Sequence, residues 1–129
     1  MNQPLAIGID VGGSALKCGL VAEDGSLLRS FSEPLEKNAG EAGIIEQIVS
    51  CIKQAESTAH SCNGVISGVG IGFPGIVENN IVIGGADNLP GFEDLPLGAL
   101  LETKTGYNIF LDNDANMMGW GELIYGSAA

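Results

Sequence analysis

The sequence predicts an α/β fold: a mixed sheet in which three antiparallel strands are extended by parallel strands, with helices on both faces. Three observations carry this. Residues 5–31 hold three strand-like runs joined by tight-turn signals. At Glu41 the spacing of apolar residues changes from period two to a helical period. Beyond that point strand-like and helix-like segments alternate, and strand–helix–strand units extend a sheet in parallel.

The first run, LAIGIDV, is apolar up to Asp10 and is followed by Gly12-Gly13-Ser14. A dinucleotide-binding turn would continue as G-x-G-x-x-G into a helix. Here Leu16, Cys18 and Leu20 alternate with Ala15, Lys17 and Gly19, which is a second strand. The glycines therefore sit in a tight turn between strands. Two readings of that turn stay open: a plain hairpin, which Gly-Gly favours, or a loop whose backbone N–H groups and Ser14 hydroxyl face an anion. Lys17, the cation near this turn, reads as a solvated strand residue. Asp24-Gly25 signals the next hairpin, and a third strand runs to about Phe31.

Residues 34–40 are polar and loop-like. From Glu41 a helix is expected, with Ile44, Ile45, Ile48, Val49, Ile52 and Ala55 on its buried side and Gly64 near its stop. In SGVGIGFPG, Val69, Ile71 and Phe73 alternate with Gly68, Gly70 and Gly72. This reads as a buried strand whose second face lacks side chains, so something packs very close there. Phe73 stands where a dinucleotide motif needs its third glycine, and Pro74 blocks a following helix. A short hairpin is expected to turn at Asn79-Asn80, and GADNLPGFED is a loop. Pro96 opens a helix to about Thr105 with Gly106 as its stop. YNIFL is a buried strand, and DNDANMMGWGELIYG begins a last helix ended by Gly126.

Asp112, Asn113, Asp114 and Asn116 stand at that last strand-to-helix junction. A calcium loop is excluded, because its sixth position holds Met117 in place of Gly and its twelfth holds Leu123 in place of Glu. Helix capping explains one such residue. A site at the carboxyl end of a parallel strand explains several. Asp10 and Asp114 both fall at carboxyl ends of strands in one sheet, and the loops GFPG and DNLPG join them at that edge.

Bulk properties narrow the function classes. The 129 residues suit one domain with a real core, and 45% are hydrophobic. Five Lys and Arg stand against sixteen Asp and Glu, a net charge of −11, so nucleic acid is a poor partner. No apolar run approaches the roughly 20 residues that span a membrane, and the first residues lack a signal peptide's basic segment. Cys18, Cys51 and Cys62 match no zinc spacing and, being odd in number, no disulfide framework. A reduced, cytoplasmic protein is expected, with Cys18 in the core and His60 at a helix end on the surface.

Taken together and in order, IGIDVGGSALKCGLV, GVGIGFPGIV, NLPGF and LDNDANMMGWGELIYG resemble the N-terminal lobe of the ROK family, bacterial sugar kinases and sugar-responsive repressors. Gly-Gly-Ser stands where many members have Gly-Gly-Thr, keeping the hydroxyl. The resemblance implies an actin-like, ribonuclease-H-like lobe that binds ATP and a sugar in a cleft against a second lobe. It implies that Asp10 acts near Mg²⁺, through water, and that Gly12, Gly13 and Ser14 meet the phosphates. It places Asn88, Asn113 and, more weakly, Gly75 in the sugar pocket, with Asp114 as catalytic base and a further sugar contact. Asp112 is expected to project to the other side of the turn from Asp114.

The family's second glycine-rich phosphate segment, adenosine site and zinc motif with its sugar-binding glutamate do not appear in these residues. Residues 1–129 therefore read as one lobe of a two-lobe kinase, inactive alone. The expected partners are a sugar and a nucleotide, and a homodimer is left open. Two other classes were weighed. A repressor of the same family carries a helix-turn-helix before the lobe, where this sequence has only Asn2, Gln3 and Pro4. A chaperone-like ATPase lobe has no reason to carry DNDAN after a strand.

Overall fold

The computed structural model describes residues 3–12, 14–36, 40–84 and 91–112. Its main sheet is built from β1 (Gln3–Val11), β2 (Ala15–Ala22), β3 (Leu27–Pro34), β4 (Gly64–Gly72) and β7 (Ile109–Asp112). The strand order is β3-β2-β1-β4-β7. The first three strands are antiparallel, and β1, β4 and β7 run parallel. This is the expected mixed sheet. β5 (Ile76–Glu78) and β6 (Ile81–Gly84) form a separate hairpin.

Helix α1 (Gly40–Ser61) buries the side chains foreseen from its period, and Cys51 and Ala59 as well. It packs on β1, β2 and β4, while α2 (Leu97–Thr105) packs on β7 and against α1. Lys104 and Glu46 join the two helices by an exposed ion pair at 3.2 Å. The helix expected after Asp112 lies outside the described residues.

Boundaries differ from expectation in two places, the start of β1 and the end of β3. β1 begins at Gln3 because parallel pairing with β4 starts there, whereas antiparallel pairing with β2 begins at Leu5. Pro4 thus has no ladder partner to disappoint on its β2 side. β3 continues to Pro34 because β2 offers it partners as far as Ala15. α1 ends at Ser61 with Gly64 close behind its stop, as expected, and the left-handed residue there is Asn63 at φ 56°. Gly64 opens β4, where a Cβ would fall 2.4 Å from Leu5 Cδ1. Gly106 does stop α2, with φ 80° and its N–H donated to the Glu102 carbonyl.

Register sorts the sheet into two faces. Leu5, Ile7, Ile9 and Val11 pair with Ala22, Leu20, Cys18 and Leu16 on the side turned to α1, where Val69, Ile71, Ile109 and Leu111 continue the core. The other side carries Ala6, Gly8 and Asp10 beside Val21, Gly19 and Lys17, then Gly68, Gly70 and Gly72, then Phe110 and Asp112. Ala6 and Val21 are buried on this second face. The three β4 glycines are buried too.

At the tip of the β5–β6 hairpin, Asn79 and Asn80 take φ of 53° and 63°. A two-residue type I′ loop needs positive φ at both centres, and Asn tolerates it. Among the described strands β7 pairs only with β4, on one edge. On its other edge the Asn80 side chain donates from Nδ2 to the Ile109 carbonyl and accepts at Oδ1 from the Leu111 N–H, each at 2.9 Å. The Asn80 carbonyl accepts from the Gly98 N–H in α2 at 3.0 Å.

Candidate active site

Because β1, β4 and β7 are parallel, their carboxyl ends share one edge of the sheet. Asp10 is the penultimate residue of β1 and Asp112 the last of β7, and both stand in register with Gly72 between them. Two interstrand spacings put their Cα atoms roughly 10 Å apart. Lys17 follows on the other side of Asp10. The row Lys17, Asp10, Gly72, Asp112 crosses the sheet on the face away from α1. Asp10 is half-buried, while Lys17 and Asp112 are exposed.

The turn after β1 is a closed one. The Gly12 N–H donates to the Ala15 carbonyl at 2.9 Å, and a Cβ on Gly12 would lie 3.1 Å from that oxygen. The Ser14 carbonyl accepts from the Leu35 N–H at 3.0 Å, which ties the turn to the end of β3, and Ser14 itself is exposed. Gly13 lies outside the described residues.

After β4 the chain passes through Phe73 and Pro74 to Gly75, whose φ of 153° is one that residues with a Cβ rarely adopt. The buried ring of Phe73 packs on that of Phe92, with centroids 4.8 Å apart. The Phe73 N–H also donates to the Asp112 carbonyl at 2.8 Å. One residue therefore holds together the loop after β4, the end of β7 and the loop before α2. Asn88 belongs to the segment 85–90 between β6 and that last loop, and Asn113 and Asp114 follow directly on β7. All three lie outside the described residues, but the segments that lead into them converge on the edge that carries Asp10.

Among the described residues, the groups with displaced pKa values lie away from this edge. At the opposite end, in the β2–β3 turn, the Ser26 hydroxyl and N–H hold the Asp24 carboxyl below its ordinary value. Under α1, burial pushes the Cys18 thiol up to about 12, and the charge of Glu33 adds to the effect. Cys51, which donates to Glu33 at 3.3 Å, is raised by burial and then by that hydrogen bond. These are inert core thiols. His60 is exposed in the last turn of α1, as foreseen.

Sequence reasoning gave no role to two residues that the fold brings forward. Asp112 shares the face of Asp10; its place in the row follows from β1–β4–β7 register, which no local pattern encodes. Asn80 was read as turn chemistry alone, because its link to β7 joins residues 29 and 31 positions apart. Among the described residues no three His, Cys, Asp or Glu side chains gather into a metal cage. Mg²⁺ takes one or two carboxylates together with phosphate oxygens and keeps several waters. A lone half-buried Asp10 beside a tight glycine turn fits that kind of shared site.

The ROK family model matches residues 6–129. The chain belongs to the ROK family. It is similar to the glucokinase of Thermotoga maritima, 32% identical over 122 residues that make up 94% of this chain and 37% of that protein. Among solved structures it is similar to a ROK family glucokinase from Streptomyces griseus in complex with glucose and AMPPNP. There the identity is 29% and the TM-score 0.73, covering 97% of this chain and 38% of that one. An inorganic polyphosphate/ATP-glucomannokinase from Arthrobacter sp. strain KM gives 31% identity and a TM-score of 0.75, covering 98% and 50%. A ROK family transcriptional regulator shares the fold at 20% identity and a TM-score of 0.73. This chain thus spans less than two fifths of the glucokinases it matches. The fold is the actin-like lobe of ROK sugar kinases.

Proposed function

We propose that the protein is an ATP-dependent hexose kinase of the glucokinase kind, and that this lobe supplies one wall of its cleft. The supporting observation is convergence. The turn after β1, the Gly75 loop, Phe92 in the loop before α2 and the strand that leads into Asn113-Asp114 meet at the carboxyl edge of the sheet, beside Asp10.

In this reading Gly12, whose N–H closes the turn on the Ala15 carbonyl, leaves room for the phosphates to approach, and the Gly13 backbone and the Ser14 hydroxyl receive them. Asn88, Asn113 and the Gly75 backbone orient sugar hydroxyls, and Asp114 accepts the proton of the attacking hydroxyl. Asp10 would hold Mg²⁺ through water, and the ion, when bound, neutralises phosphate charge. Phosphoryl transfer asks little covalent chemistry of a protein. It asks for alignment, charge neutralisation and a proton acceptor. A second lobe is needed to align donor and acceptor, an effect on the order of 7–11 kcal/mol in good cases.

The experiment is a panel of hexoses incubated with the full-length protein, magnesium and either ATP or polyphosphate. Phosphorylation of at least one hexose is the expected result. Sugar binding without turnover under every donor would reject the kinase reading and favour a sugar sensor of the same family.

A further inference from the structure

We infer that Asn80 is a positioning residue for the catalytic segment, holding the outer edge of β7 in register so that Asn113 and Asp114 emerge at the right place. This rests on the kinase reading for the role of Asp114. The latch itself rests on geometry alone.

A strand edge presents alternate carbonyl and N–H groups to its neighbour. On the outer edge of β7 these are the Ile109 carbonyl and the Leu111 N–H. A parallel neighbouring strand would answer both from the N–H and the carbonyl of a single residue. Asn80 answers with its carboxamide, Nδ2 donating to the one and Oδ1 accepting from the other, each at 2.9 Å. Turning the amide over would set oxygen against oxygen and N–H against N–H, so the pair of bonds fixes its orientation.

Two further constraints hold the carboxamide in place. The left-handed turn at Asn79-Asn80 is tied by its Asn80 carbonyl to the Gly98 N–H at 3.0 Å. Gly98 has no room for a side chain, since a Cβ there would fall 2.5 Å from Asn80 Cβ. Helix α2 therefore presses the hairpin tip against β7.

The consequence for function follows from length. β7 has four residues, and Asp112, its last, precedes the expected base by two. On its inner edge β7 is held by the β4 ladder and by Phe73 N–H to the Asp112 carbonyl. On its outer edge it is held by Asn80. The same hairpin starts just after Gly75 and ends just before the segment with Asn88. One residue thus couples the base-bearing strand to both ends of the expected sugar pocket. Among the described residues, Gly12 and Ser14 lie across the sheet and make no hydrogen bond to Asn80.

The test uses Asn80→Gly in the full-length protein. Glycine accepts the left-handed turn, so the hairpin is kept while the carboxamide is lost. Asn79→Gly, at the exposed neighbouring position, is the control for the turn. Amide hydrogen exchange at Leu111 should speed by about tenfold or more in Asn80→Gly and stay unchanged in Asn79→Gly. For hexose phosphorylation, kcat should fall roughly 10- to 100-fold, as a small misplacement of a reacting group does, with KM for ATP unchanged. Unaltered exchange at Leu111 overturns the latch. Faster exchange with kcat within twofold of the parent overturns the positioning role. If the parent phosphorylates no sugar, the kinase reading fails, and the exchange measurement still decides the latch.

Discussion

Along β1, Leu5, Ile7 and Ile9 point to α1, while Ala6, Gly8 and Asp10 point the other way. Along β4, Ile71 points to α1 and Gly70 and Gly72 away from it. The first face is filled with branched side chains that are almost wholly out of water. The second is bare along β4, where Gly68, Gly70 and Gly72 line up, and presents Asp10 and Asp112 at its carboxyl edge. The difference teaches how a lobe of this size separates its tasks. Stability comes from the face against the helix, and in the proposed reading the chemistry belongs where the other face runs out into loops. Substitutions on the two faces should then fail in different ways.

The largest effect is expected at the end of β7. Asp114→Asn in the full-length protein should keep sugar binding, because an amide still bonds a hydroxyl, and should lower kcat by about 10²–10⁴, the range for loss of a general base. Asn caps a helix about as well as Asp, so melting temperature should hardly move. Asp112→Asn serves as the comparison and should lose much less turnover. A near-parental kcat for Asp114→Asn would remove the base assignment and leave capping as its role.

A smaller effect of the opposite kind is expected on the helix-facing side. Ile71→Ala opens a cavity between β4 and α1 and should cost about 2–5 kcal/mol of stability. Its kcat per folded molecule and its KM values should stay near those of the parent. Denaturant melts paired with active-site titration measure both. A large change in KM at unchanged stability would show that the two faces are not separate in function.

The smallest effect concerns pH. Folding lifts Cys18 from its ordinary value of 9.0 to about 12, chiefly by burial, and Cys51 is raised as well. Between those values the folded protein keeps protons that the unfolded chain gives up. This contribution to stability is therefore complete below pH 9 and is lost as pH rises through about 12. A Cys18→Ala/Cys51→Ala variant should have a lower melting temperature at neutral pH but a flatter decline above pH 9. Parallel alkaline declines in parent and variant would mean that the thiols do not carry this linkage.

Much of this was legible before any coordinates. The change of period at Glu41, the turn residues at Asp24-Gly25 and Asn79-Asn80, and the stop at Gly106 are local signals, and each element they announce is present. The alternation of Val69, Ile71 and Phe73 with glycines announced a strand with one bare face. The ordered motifs announced the family. Asp10 could be placed at the end of a strand because a carboxylate followed by glycines interrupts an apolar run.

What the sequence could not decide has a common physical cause. Register between β1, β4 and β7 depends on which backbone groups meet across the sheet, and a shift of one residue would exchange its two faces. That register, and no local pattern, puts Asp112 on the side of Asp10. Gly64 stands near the stop of α1 as its place in the sequence suggests, but only the fold shows that β4 passes Leu5 there with no room for a Cβ. The role of Asn80 arises only when a hairpin tip, the start of α2 and a free strand edge come together in space. Short-range chemistry determined which segments form and where they turn. Packing in three dimensions determined which of their residues share an edge.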